Sequence, residues 1–335
     1  MRVYGRRKAL ALAVGLLAGA VACSGTPQPP SSQVAATARA PIPVTPSPSP
    51  LAVTLVEAAK VFATFTATDD LLRAGGAQRL AMGQYRDAEA RVTSAEFQST
   101  KNKPPRHTWG PPTLFVPRFA PDEKAPWFSV LVTRDGLQTL LTFAKGDDWR
   151  LSSATRLLPG EEPPQIELDA EGYATALPPD DKSVTISPQF MGPLHATIAE
   201  AGAGGVAAKL VAPGPFTTEV ATQIMADREK AKNDGFSYDS IFSAGDFPVY
   251  TLRTTGGGAL IQYAMSRTTT TVNKTSKEYM PVPDAARWAI SSEVLRRTLK
   301  VTETHQYATA VPPGRSPAAA RVIAHDGVLT GAGGE

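Results

Sequence analysis

Trp127-Phe128-Ser129-Val130-Leu131-Val132-Thr133-Arg134-Asp135-Gly136-Leu137-Gln138-Thr139-Leu140-Leu141-Thr142-Phe143-Ala144 is the stretch whose reading decides the fold. Two runs rich in β-branched and aromatic residues flank a single Asp-Gly pair. Asp-Gly suits the positive-φ positions of a two-residue turn, so the runs pair antiparallel as a hairpin. Trp149–Arg156 adds a third strand and Thr113–Pro117 an earlier one. An antiparallel meander needs something apolar against one face, and the segment before it supplies that. Leu55, Ala58, Ala59, Phe62 and Phe65 recur at helical spacing. Thr68-Asp69-Asp70 offers the cap of a second run through Leu71 and Leu72, and Gln78 to Arg91 follows the Gly75-Gly76 break. Helices followed by a meander make an α+β unit.

The same order returns downstream. Helical signals run over Phe190–Ala201 and Phe216–Lys232, then strands over Phe247–Thr254, Ala259–Thr271, Lys300–Val311 and Arg321–Thr330. Val130-Leu131-Val132-Thr133-Arg134 aligns with Val249-Tyr250-Thr251-Leu252-Arg253, and Leu140–Ala144 with Leu260–Ala264. The second hairpin gains one residue at Gly256-Gly257-Gly258. The expectation is a tandem repeat: two similar lobes, 51–158 and 189–335, each with helices packed on a curved antiparallel sheet. A polar connector, 159–188, carries Pro159, Pro163, Pro164 and Pro178-Pro179-Asp180-Asp181.

Residues 1–50 read differently. Arg2, Arg6, Arg7 and Lys8 form a basic start with no acid, and Ala9–Val21 is apolar but short of the roughly 20 residues a spanning helix needs. Small residues then lead into Cys23, the only cysteine of 335 residues. This is an export signal over 1–22 that ends in a lipobox-like Ala20-Val21-Ala22-Cys23. The thiol of Cys23 is the expected lipidation site, carrying fatty-acyl chains of the palmitate type, and two such chains anchor stably. Residues 24–50 then form a tether with eight prolines, reaching on the order of 80 Å if extended as polyproline II. The expected location is therefore the extracytoplasmic face of a cell membrane, with the body held off by the tether.

Composition narrows the partners. Cleavage after residue 22 leaves 30 basic against 31 acidic residues, so no large positive field remains to attract nucleic acid. With the single thiol lipidated, no disulfide supports the fold, which must rest on its hydrophobic core.

Phe115-Val116-Pro117-Arg118 ahead of Trp127-Phe128, the strand opening Trp149-Arg150-Leu151, Gly172-Tyr173-Ala174-Thr175 and Pro215-Phe216-Thr217 carry a resemblance over residues 53–330. The chain resembles the uncharacterised lipoproteins of high-GC actinobacteria such as streptomycetes, in which a domain of unknown function follows a lipobox and a Pro-rich tether. The resemblance implies an architecture and a cell-envelope compartment, and no activity. The order of elements also looks like cystatin-like or NTF2-like folds, whose curved sheet often leaves a pocket; fold alone does not give function.

No catalytic signature is complete. Gly235-Phe236-Ser237-Tyr238-Asp239 begins like a nucleophile elbow, but Asp239 stands where the closing glycine must be, and the segment reads as a loop. His107 falls in a Pro-rich loop and reads as solvated, and His195 reads as a surface or boundary residue of a helix. His305 and His325 fall on the last two strands, where they can be cross-strand neighbours. None of the four has a second histidine within helical or strand spacing to form a local metal pair. The carboxylate pairs Asp69-Asp70, Asp147-Asp148, Glu161-Glu162 and Asp180-Asp181 sit at caps, turns and the connector, where solvation accounts for them. Gly202-Ala203-Gly204-Gly205 follows a helix and reads as its stop, not as a phosphate cradle. Trp109, Trp127, Trp149 and Trp288 can line a pocket but serve a core first.

Catalytic, cofactor and metal residues are therefore expected to be none. The leading expectation is a non-catalytic binding protein for an envelope protein or a small-molecule ligand. The alternative is an NTF2-like or hydrolase-type envelope enzyme with a non-local site, for which His305, Tyr307 and His325 are the first residues to inspect.

Overall fold

The computed structural model describes residues 51–335 apart from positions 246, 277 and 293. The signal, the tether and Cys23 lie outside the described residues.

The decisive stretch folds as read. Strands β2 (Trp127–Arg134) and β3 (Leu137–Lys145) pair from Trp127↔Ala144 to Arg134↔Leu137, and Asp135 and Gly136 take φ of 52° and 81° in the turn. β1 (Thr113–Phe115) and β4 (Trp149–Leu157) complete the first meander. The second comprises β5 (Phe236–Ser243), β6 (Tyr250–Arg253), β7 (Ala259–Asn273), β8 (Thr298–Val311) and β9 (Arg321–Gly334). The nine strands among the described residues belong to one antiparallel sheet, ordered β1-β2-β3-β4-β9-β8-β7-β5, with β6 beside β5 on β7. The order runs outward in both directions from the β4–β9 junction.

The two halves thus share a sheet, and residues 51–335 cluster as one compact unit, where the sequence suggested two lobes. Each half keeps its own helical layer. Helices α1 (Leu55–Ala74), α2 (Gln78–Ala81) and α3 (Asp87–Ser99) cover a core of Phe62, Phe65, Phe97, Phe128, Phe143 and Leu151. Helices α4 (Pro188–Ala201) and α5 (Thr218–Asn233) cover Met191, Ile198, Ile261, Tyr263 and Tyr307. A third core joins the halves: Trp127 and Leu140 meet Leu252, Leu260, Ala308 and Ala324. Gln262 of β7 reaches across here, donating to Ser129 Oγ at 2.8 Å and accepting from Thr142 at 2.9 Å. Area burial in these cores and in a smaller one of Phe236, Met280, Leu295 and Leu299 replaces the covalent staples the sequence lacks.

Several local expectations change. Thr68-Asp69-Asp70 does not start a helix, because α1 runs through it. Asp69 faces inward and holds Arg73, one turn on, at 2.9 Å, with the Tyr85 hydroxyl on the same carboxylate. Gln78–Arg91 is broken at Tyr85, which is extended, and α3 begins at Asp87 with φ 51°. Phe236-Ser237-Tyr238-Asp239 is not a loop but the start of β5. Its burial alternates along the strand, and its outer edge is closed by Glu200 on Phe242 N–H and Arg228 on Tyr238 O. The second hairpin closes at Arg253↔Ala259, a five-residue loop, so its register slips two residues from the sequence alignment. An even slip keeps every side chain on its own face.

Candidate functional site

Three of the four histidines converge beneath α4 and α5. His195 lies on the α4 stripe Met191, Gly192, His195, Ile198, Ala199, all turned to the sheet, and is fully buried rather than at a boundary. Gly192 allows that approach, since a Cβ there would stand 2.9 Å from Ala244 Cβ. Both ring nitrogens of His195 are in use: Nε2 is 2.6 Å from Phe216 O and Nδ1 is 2.7 Å from Tyr263 Oη. A carbonyl only accepts, so Nε2 carries the proton and Nδ1 accepts from the tyrosine. Thr309 Oγ1, 3.0 Å from Tyr263 Oη, then donates to it. Burial pushes the His195 pKa down to about 4 and holds the Tyr263 and Tyr307 phenols above their ordinary value.

His305 and His325 are cross-strand neighbours, as the sequence suggests, with Nδ1 of the first 3.0 Å from Nε2 of the second. Their rings stack, and Phe216 lies on His325 at 4.1 Å between centroids. Gly327, opposite His305 in register, makes the room: a Cβ there would come within 2.6 Å of His305 Nδ1. Burial, then the neighbouring His305 and His195, lower the His325 pKa to about 3. His305 Nε2 is sealed from solvent with no hydrogen-bond partner; Glu303, at 3.8 Å, is too far to bond it. Burial therefore holds His195 and His325 neutral within an interlocked cluster.

A second polar group lies where the halves diverge. β4 and β9 pair only at Arg156↔His325 and Leu157↔Ala324. Beyond them the Ala154 N–H is taken by the Gln306 side chain at 3.1 Å, and Gln306 Nε2 donates to Glu89 Oε2 of α3 at 2.7 Å. Glu89 is buried, and desolvation raises its pKa to about 7, against the opposing charge of Arg134 and the Gln306 bond. Asp326 stands 3.7 Å from Arg134 and 3.6 Å from Arg156. Nearby, Ser152 donates to Asp87 at 2.6 Å and meets Tyr250 Oη at 2.8 Å.

His107 is not solvated; its ring packs edge-on against Trp109, and Nδ1 sits 2.7 Å from Asp135. Among the carboxylate pairs only Asp69 is buried, in its bond to Arg73. Gly202, at φ 67°, ends α4 as expected. No group of three or more His, Cys, Asp or Glu among the described residues is placed to hold a metal ion. Among them, too, no helix is long and apolar enough to cross a membrane.

The open space lies elsewhere. A cleft of about 400 Å³ sits at the junction of the halves, with Phe119 and Trp127 from one, Val249 from the other, and Leu177, Pro178 and Pro179 of the connector between them. Thr251 and Glu123 are its polar members, and the Thr251 hydroxyl has no partner. Trp127 is braced by Phe119 and Tyr250, at 6.0 and 5.2 Å between centroids. Sequence reasoning names Trp127 as a pocket candidate but not its partners, which come together only through the third core.

The model of a family described as a domain of unknown function, DUF8094, matches residues 50–334. The chain belongs to this family. An uncharacterised lipoprotein of Streptomyces avermitilis is 29% identical over 61% of the chain and 63% of its own length. An uncharacterised lipoprotein of Streptomyces coelicolor is 26% identical over 72% of the chain and 70% of its own length. The DUF8094 match covers both meanders and helices α1 to α5. No solved structure matches the chain.

Proposed function

We propose that this DUF8094 protein is a lipid-anchored envelope protein that binds a small, largely apolar molecule in the junction cleft and performs no chemistry on it. Cys23 carries the lipid and residues 24–50 hold the body off the outer face of the membrane. The leader supports the anchor, as do two relatives named as lipoproteins. The observation that carries the binding reading is the cleft: about 400 Å³, floored by braced aromatics and built from both halves. Its size and apolar lining with a few polar groups are those of small-molecule sites. Catalysis would need an open base or nucleophile, whereas both ring nitrogens of His195 are engaged and His305 Nε2 is buried.

Native mass spectrometry of the full chain, purified gently from its host membrane, tests both parts. We expect an N-terminal Cys23 bearing diacylglycerol, lost in Cys23→Ser, and a reproducible further mass lost when Val249→Trp fills the cleft. An unmodified Cys23 would contradict the anchor. A chain without the further mass, or one that keeps it in Val249→Trp, would contradict the binding site.

A further inference from the structure

A second groove, remote in sequence from the junction cleft, has a different chemistry. It runs between the α1 flank, the Gly83-Gln84 turn and the start of β4, and encloses about 330 Å³. Its floor is apolar, made by Trp149, Phe65 and Val61. The indole is fixed in place: Nε1 donates to Glu57 Oε1 at 2.9 Å, and the ring meets Phe128 at 5.1 Å between centroids. A platform held this way loses little freedom when a ligand settles on it.

The rim is polar and balanced in charge. Glu57 and Asp148 line it together with Lys60, and Lys145 stands 3.7 Å from Glu57 and 5.5 Å over the Trp149 ring. Two carboxylates are therefore offset by Lys60 in the rim and by Lys145 beside Glu57, which does not itself line the groove. A charged ligand gains no net attraction here. A wholly apolar one would strip water from Glu57 and Asp148 without replacing it. Gln84 closes one end, and its Oε1 is buried with no donor. Its side-chain amide lines the groove, where a ligand hydroxyl can exchange a hydrogen bond with it. Thr64 adds a hydroxyl to the exposed side.

An aromatic floor under a neutral rim of acceptors and hydroxyls calls for a ligand with one apolar face and a hydroxyl-bearing edge. We infer that the Trp149 groove binds a neutral saccharide, one pyranose ring stacked on the indole and its hydroxyls bonded to Glu57, Asp148 and Gln84. The inference is independent of the junction cleft, and its test leaves that cleft intact.

The test is saturation-transfer NMR on the full chain in detergent with three probes: maltotriose, cellotriose and the β-1,4-linked trimer of N-acetylglucosamine. Transfer to the ring C–H protons of at least one probe is expected. Gln84→Ala, at a half-buried position, should weaken that probe about tenfold, equivalent to one lost hydrogen bond of about 1.4 kcal/mol. Trp149→Leu should abolish transfer, with circular dichroism confirming that the variant is folded. Val249→Trp should leave the transfer unchanged. No transfer to any of the three probes from the folded wild-type chain would overturn the inference. So would transfer that persists unchanged in Gln84→Ala.

Discussion

The histidine cluster and the Glu89 group are both buried and titratable, yet they are built on opposite terms. Under α4 and α5, His195 meets a partner at each nitrogen and stays neutral because burial penalises its charged form. At the β4–β9 divergence, Glu89 keeps one bond from Gln306 and the field of Arg134, and burial raises its pKa instead. The first group completes a helix-to-sheet contact. The second fills a place where the sheet stops pairing and a backbone N–H needs a partner. Polar atoms in this protein are concentrated where the regular ladder or the apolar layer ends, and concentration of polar chemistry is not by itself a sign of catalysis.

The largest effect expected is from breaking the first group. His195→Ala opens a cavity and strips Tyr263 and the Phe216 carbonyl of their partner, and should lower stability by about 3–4 kcal/mol; urea unfolding at pH 7 checks it. A loss below 1 kcal/mol would mean the cluster carries little of the fold.

The two groups should also respond oppositely to pH. His195 and His325 have folded pKa values of about 4 and about 3, below the unfolded value of 6.5. Their contribution is complete above 6.5 and is lost as pH falls toward those values. Glu89 has a folded value of about 7, above its unfolded 4.5, so its contribution is full below 4.5 and lost as pH rises to 7. Glu89→Gln keeps the shape without the charge and should raise stability at pH 8 by about 2–3 kcal/mol, flattening the alkaline limb of the curve. An unchanged limb would place the titration elsewhere.

Gly327→Ala sharpens the comparison within the histidine group. Its Cβ would press on His305 Nδ1 and separate the stacked pair, for about 1–2 kcal/mol. The thermal midpoint should fall, and the His305–His325 coupling should vanish from ¹⁵N spectra. Asp135→Asn is the mildest change. Asparagine tolerates the positive φ of the turn but loses the charged bond to His107, for about 0.5 kcal/mol at this exposed site.

The sequence carries much of the fold in local form. Asp135-Gly136 and the α4 stop at Gly202 are short-range signals, and each holds. The period-two pattern Phe236, Tyr238, Ser240, Phe242 is also present, and it marks β5 once the glycine-serine motif is set aside. The burial of His195 has a signal in the stripe Met191, Gly192, Ile198, Ala199. Glu89 has none: its place depends on β9 leaving β4 after two pairs, which no local pattern encodes. The joining of two lobes into one sheet rests on the same contact. The junction cleft follows from it, since Trp127 and Val249 are neighbours only when the halves share a core.

The central claim is that the polar clusters are scaffold and the work is done by binding. Site-resolved ¹⁵N NMR titration of His195 and His325 in the full chain tests it most directly. The account predicts that both rings stay neutral, and His195 keeps its Nε2 proton, down to about pH 4. Titration of either ring near 6.5, with solvent-exchanging nitrogens, would contradict it and return the cluster to the candidates for an active site.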